Sequence, residues 1–185
     1  MKKIILLVCS ILCLSSCQNK GNQANVEEKQ YSDTINFRLA TLDEAKQLMS
    51  AEDSYTRSRS PFDIVSRLQN PEGTVEELNA YALQELREWN EEEQKAIQAL
   101  TKDLNDSIRK YQYELPLPNE IMLVKSTLKD EGGAGGYTRS NWIALTDKLV
   151  SHMKEDGQKR ILLHELFHVL TRNSLDFKKE MYQTI

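Results

Sequence analysis

Cysteine is scarce in this chain. There are three, at Cys9, Cys13 and Cys17, so nothing beyond residue 17 can be held by a disulfide framework. The rest must stand on its hydrophobic core and on any metal it binds. Basic charge is not in excess either. Lys and Arg number 24 against 28 Asp and Glu, a formal charge of −4 at pH 7, and this acidic balance argues against nucleic acid as a partner. Near the N-terminus the apolar stretch from Ile4 to Leu14 is too short to cross a bilayer as a helix.

That stretch follows Lys2 and Lys3 and precedes Leu14-Ser15-Ser16-Cys17. A positive n-region, a short apolar h-region and small residues before a cysteine form a secretory signal. The last four residues resemble the bacterial lipobox. The resemblance implies cleavage before Cys17 and acylation of its sulfur and its new amino group. An ordinary secretory signal or an uncleaved anchor are the alternatives. Residues 1–16 are thus expected to be a leader and Cys17 a lipid anchor into the cell envelope. Gln18, in place of Asp, points to the outer membrane in a Gram-negative host. Cleavage would also remove Lys2 and Lys3 and take the formal charge to −6. Residues 18–34 are polar with almost nothing to bury and read as a flexible tether, which leaves 35–185 for the folded domain.

Within that domain, Thr41-Leu42-Asp43-Glu44 and Ser60-Pro61-Phe62-Asp63 open two short helices. Arg57, Arg59 and Arg67 are expected to be solvated and paired with the many carboxylates. Thr74-Val75-Glu76-Glu77 opens the longest helical stretch, through about Tyr113, and Glu88 to Lys95 is either its solvated middle or a break. Glu91, Glu92 and Glu93 point different ways on a helix and are expected on an exposed face. Pro116 and Pro118 forbid continuation. Residues 120–126 and 137–146 read as one strand each. Between them lies Glu131-Gly132-Gly133-Ala134-Gly135-Gly136, which lacks the Lys-Ser/Thr of a phosphate loop and reads as a mobile turn or a close backbone approach. His152 falls in a polar linker and is expected at the surface.

Residues 159–172, KRILLHELFHVLTR, organise the rest. Side chains four apart on a helix share one face, so His164 and His168 can aim at one ion, with Glu165 beside them to hold a water. Ile161, Leu162, Leu163, Leu166, Phe167, Val169 and Leu170 leave almost no polar face, and a helix apolar all round is buried. The polar groups inside it need partners or metal. Two core histidines satisfied by backbone or carboxylates are the alternative.

Long helix, strand, glycine turn, strand and HExxH helix, in that order, resemble the N-terminal half of a zincin metallopeptidase domain. This implies an α+β fold, mostly helical, with a small sheet packed on a long helix. It also implies zinc held by His164 and His168, Glu165 as catalytic base, and an edge strand, placed by order at Tyr137 to Leu145, that pairs with a peptide or protein substrate. Tyr137 or Tyr182 could help an oxyanion. Thr171 and Ser174 stand where the extended metzincin pattern has Gly and a third ligand. Glu180 and Asp176 are the acids that follow, and Glu180 is the candidate third ligand on a helix opened by Asn173 and Ser174. The apolar pattern still running at Ile185 suggests that a C-terminal part is missing, unless a compact enzyme uses Glu180. The expected function is a lipid-anchored zinc peptidase. An inactive zincin-like binding lipoprotein and a structural lipoprotein without metal stay open.

Overall fold

Side-chain caps decide where most helices begin. The structure, a computed structural model, describes residues 31–183. The expected leader, Cys17 and the tether up to residue 30 lie outside the described residues. The chain enters through β1 (Tyr31–Ser32) and β2 (Phe37–Leu39). Thr41 then caps α1 (Leu42–Ser50): its hydroxyl accepts from the Glu44 amide, and the Glu44 carboxylate accepts from the Thr41 amide. The same reciprocal box recurs at Asp53 for α2 (Ser54–Arg57), at Ser60 for α3 (Pro61–Leu68) and at Thr74 for α4 (Val75–Gln84). After β3 (Leu86–Arg87), Asn90 caps α5 (Glu91–Lys110) in the same manner. There follow β4 (Leu115–Pro116), β5 (Ile121–Ser126), a 3-10 turn at Lys129–Glu131, β6 (Gly136–Arg139), β7 (Trp142–Thr146), α6 (Leu149–His152), α7 (Glu155–Asn173) and α8 (Leu175–Gln183).

The fold is α+β, with one sheet between two helical layers. Strands run in the order β2, β5, β7, β6. β2 and β7 flank β5 in parallel, β3 pairs with the end of β5 antiparallel, and β6 lies antiparallel on β7 at the edge. Alternation along the strands feeds two cores. Ile121, Leu123, Ile143 and Leu145 point to α5, α6 and α7. Val124, Trp142 and Ala144 point to α1 and α4. A separate ribbon joins β1 to β4, pairing Tyr31 with Pro116 and Ser32 with Leu115.

Several expectations are corrected here. In the stretch 74–113 the break is the alternative that holds, but it begins earlier than Glu88, because Leu86 and Arg87 leave α4 to pair with Ser126 and Lys125 of β5. Residues 137–146 are a hairpin, not one strand. Ser140 takes a left-handed φ of 43° and reverses the chain, so of the two strands β6 lies at an edge of the sheet and β7 is central. Glu93 is buried, its carboxylate 2.6 Å from the Lys125 ammonium, while Glu91 and Glu92 are exposed. Arg67 pairs with a carboxylate as expected, Glu131 at 2.7 Å, but it is half-buried rather than out in solvent. Residues 31–34 belong to the domain, not to a tether: β1 is paired, and Arg109 donates to the Thr34 hydroxyl at 3.2 Å. The expected linker before α7 contains α6, on which His152 is exposed.

Candidate active site

α7 supplies the three motif residues and presents them unequally. Its start has no side-chain cap, but Glu155 and Asp156 in the first turn suit the positive end of the helix dipole. Leu162, Leu166 and Val169 enter the core against the sheet. The expectation of burial all round is corrected: His164 is exposed, and Leu163 is 49% exposed. A groove between α5 and α7 leaves Leu163 open, so apolar content overstates the buried arc.

The two imidazoles converge. His164 Nε2 and His168 Nε2 lie 3.2 Å apart, with ring centroids 4.7 Å apart and planes at 86°. Two Zn–N bonds of about 2.0–2.1 Å at a tetrahedral angle place their nitrogens about 3.3–3.4 Å apart. The spacing of the pair, 3.2 Å, lies close to that value. An N–H···N bond between the rings fits the same distance, and either arrangement requires a bare imidazole nitrogen. Burial holds the His168 pKa below the ordinary histidine range; the nearby His164 and Arg172 push the same way, and Glu165 opposes.

Glu165 turns inward. It is 5% exposed, and its carboxylate accepts from the Thr138 hydroxyl at 2.7 Å. Thr138 stands on the face of β6 toward α7, and its carbonyl accepts from the Arg172 guanidinium at 2.6 Å. The glycine run explains how β6 comes so close. A Cβ on Gly136 would lie 3.1 Å from Glu165 Cγ and 3.1 Å from the Ala144 carbonyl, and one on Gly135 would lie 2.8 Å from Ile161 Cδ1. The close-approach reading of that run holds for Gly135 and Gly136. Gly132 and Gly133 instead take positive φ values of 69° and 78° in the turn.

Other expected site residues fall elsewhere. Tyr137 is adjacent to Thr138 on a strand and so faces the opposite layer. Its hydroxyl meets Met49 Sδ at 3.2 Å and its ring stacks on Tyr55, which places it across the sheet from α7. Ser174 caps α8 by accepting from the Phe177 amide. Tyr182 lies on that helix with its ring 6.3 Å from Phe167. Glu180 is on its exposed side. Among the described residues no group of three or more His, Cys, Asp or Glu side chains is placed to hold one ion, so Glu180 is not brought together with the two histidines. Thr138 and Arg172 are site residues without a local sequence signal. Thr138 lies 27 positions from Glu165, and only the glycine run hinted at the approach of β6.

No family model matches this chain, and no curated protein or solved structure matches it.

Proposed function

We propose that this protein is a zinc-dependent peptidase of zincin type, held to a bacterial envelope membrane by acyl chains on Cys17. The observation that carries the reading is the convergence of His164 Nε2 and His168 Nε2 at 3.2 Å, next to a carboxylate buried under an edge strand. His164 and His168 would hold the metal, and Glu180 on α8 is kept as the candidate third ligand. When bound, the ion would supply a polarised water and a Lewis acid for the scissile carbonyl.

The chain's own residues do the rest. Glu165 takes the proton of the attacking water and returns it to the leaving amine. Thr138 holds that carboxylate at a fixed place while it waits, and must yield or share its hydrogen bond when water arrives. β6, at the sheet edge, offers a backbone on which an extended polypeptide can add as a strand. Arg172, which occupies the Thr138 carbonyl, would have to release it for that register. The expected substrate is therefore a polypeptide in extended form.

A second reading is a zincin-like binding lipoprotein without turnover. What favours it is the pair of nitrogen donors with no third acid gathered beside them among the described residues. A zinc titration with parallel hydrolysis of an unstructured chromogenic protein separates the two. Under the peptidase reading Glu165→Gln keeps zinc and loses about 10²–10⁴-fold in rate, whereas His164→Ala loses zinc and activity together. Stoichiometric zinc in the wild type with no turnover would leave the binding reading.

A further inference from the structure

The groove between α5 and α7 is not used by the proposed chemistry. It has a volume near 310 Å³. Its floor is aliphatic, including Leu104, Leu162 and Leu166, and its rim carries Tyr111, Tyr113, Leu163 and Phe167. Leu163, Tyr111 and Tyr113 are all exposed. The charges at its edge cancel, since the Lys159 ammonium is 2.9 Å from the Asp103 carboxylate. The Lys110 ammonium sits 5.2 Å from the centre of the Tyr111 ring.

The chain enters the domain beside this groove. β1 pairs with β4, and Leu115 of β4 lines the groove. Asn105 of α5 binds both the amide and the carbonyl of Ile35, which fixes the incoming strand along α5. Tyr31, the first described residue, is 53% exposed. Three exposed tyrosines thus stand where the chain arrives, next to an apolar opening. Tyrosine rings with an apolar body and a polar tip concentrate where a bilayer meets water.

We propose that this face, formed by Tyr31, Tyr111, Tyr113 and Leu163, rests in the interfacial layer of the bilayer that holds the protein. The inference rests on the reading of Cys17 as the acylated anchor. Tyr31 lies fourteen residues after Cys17, a reach of at most about 50 Å even when fully extended. A tether that short gives the face an effective concentration on the order of millimolar at the membrane. A face with only millimolar intrinsic affinity is then docked for a large share of the time. Docking would turn α7 toward the bilayer, because Leu163 adjoins His164. The substrate would then be a polypeptide segment close to the membrane surface.

The test uses the full-length protein purified from the membrane fraction and reconstituted into vesicles of phosphatidylethanolamine and phosphatidylglycerol that contain nitroxide-labelled lipid. Acylation blocks the Cys17 sulfur, so a single introduced cysteine takes an environment-sensitive fluorophore selectively. Labels are placed by Leu163→Cys, Tyr113→Cys and, on the opposite helical layer, Glu72→Cys. Lipid nitroxide should quench the labels at 163 and 113 several-fold more than the label at 72. The doubly charged variant Tyr111→Glu/Tyr113→Glu should stay anchored and lose quenching at 163. Equal quenching at all three positions, or none at 163 and 113 with Cys17 acylated by intact mass, overturns the docking alone. An unmodified Cys17 overturns the anchor and the docking with it. Labels that ignore lipid but respond to an unstructured polypeptide, or to protein concentration in detergent, assign the groove to a protein segment or to a second copy and also overturn the proposal.

Discussion

Two of the buried carboxylates in this domain have opposite circumstances. Glu165 has the Thr138 hydroxyl. Asp130, in the 3-10 turn before the glycine run, is 1% exposed, and neither carboxylate oxygen has a hydrogen-bond partner elsewhere among the described residues. Burial, and then the adjacent Glu131 charge, push the Asp130 pKa up to about 6; its own amide, Arg59 and Arg67 pull the other way. The folded protein therefore holds this proton more tightly than the unfolded chain. Asp130's contribution to stability is present in full below about pH 4 and is lost as pH rises through about 6. Above that range the charged, buried form costs at most about 3 kcal/mol. Asp130→Asn should raise stability at pH 7.5 by a value of this order or less and change little at pH 4. Urea unfolding of both proteins at the two pH values checks this through the difference between them, since other carboxylates shift the absolute curve. A gain of equal size at both pH values would mean that charge burial is not the cause.

Between elements, one buried ion pair ties the start of α5 to the sheet. Lys125 of β5 is 9% exposed, and its ammonium bonds the Glu93 carboxylate at 2.6 Å and the Glu88 carbonyl at 3.1 Å. Removing one partner leaves the other charge buried alone. Lys125→Met should therefore cost about 3–5 kcal/mol, with the double variant Lys125→Met/Glu93→Leu recovering most of it in denaturant unfolding. This pair also shows what the sequence withholds. Caps were legible because a box closes within three residues, as at Thr41, Ser60 and Thr74. The burial of Glu93 was not, because its partner lies 32 positions away. The hairpin was missed because β6 and β7 are both largely buried, which erases the polar punctuation that Ser140 and Asn141 give only weakly. The spacing of His164 and His168 was legible since a helix fixes it. The exposure of His164 was not, because it depends on which distant elements pack against that side of α7.

For the whole molecule, the question is whether metal and fold are linked. The described domain has no disulfide, and α7 is its hub: it packs on the sheet through Leu162, Leu166 and Val169 and meets α5 across the same core. A ligand that binds only the folded state stabilises all of this by mass action, by about 2.7 kcal/mol at a hundred times its Kd. For a chain of this size each kcal/mol moves Tm by about 2–4 °C. Zinc at that excess should then raise Tm by roughly 5–10 °C. His164→Ala should abolish the rise, because a single imidazole from α7 cannot chelate. Glu165→Gln should keep it, because that side chain faces Thr138 and is not a ligand. Glu180→Ala separates the remaining cases. If α8 supplies the third ligand, the rise falls with this variant at fixed zinc. If it does not, the rise is unchanged and the site is a histidine pair completed by water, whose weaker hold shows as a need for far higher zinc to reach the same Tm. Differential scanning calorimetry across a zinc series on the four proteins decides this. A wild type indifferent to zinc would reduce the 3.2 Å contact to a hydrogen bond between two imidazoles and remove the basis for metal chemistry on α7.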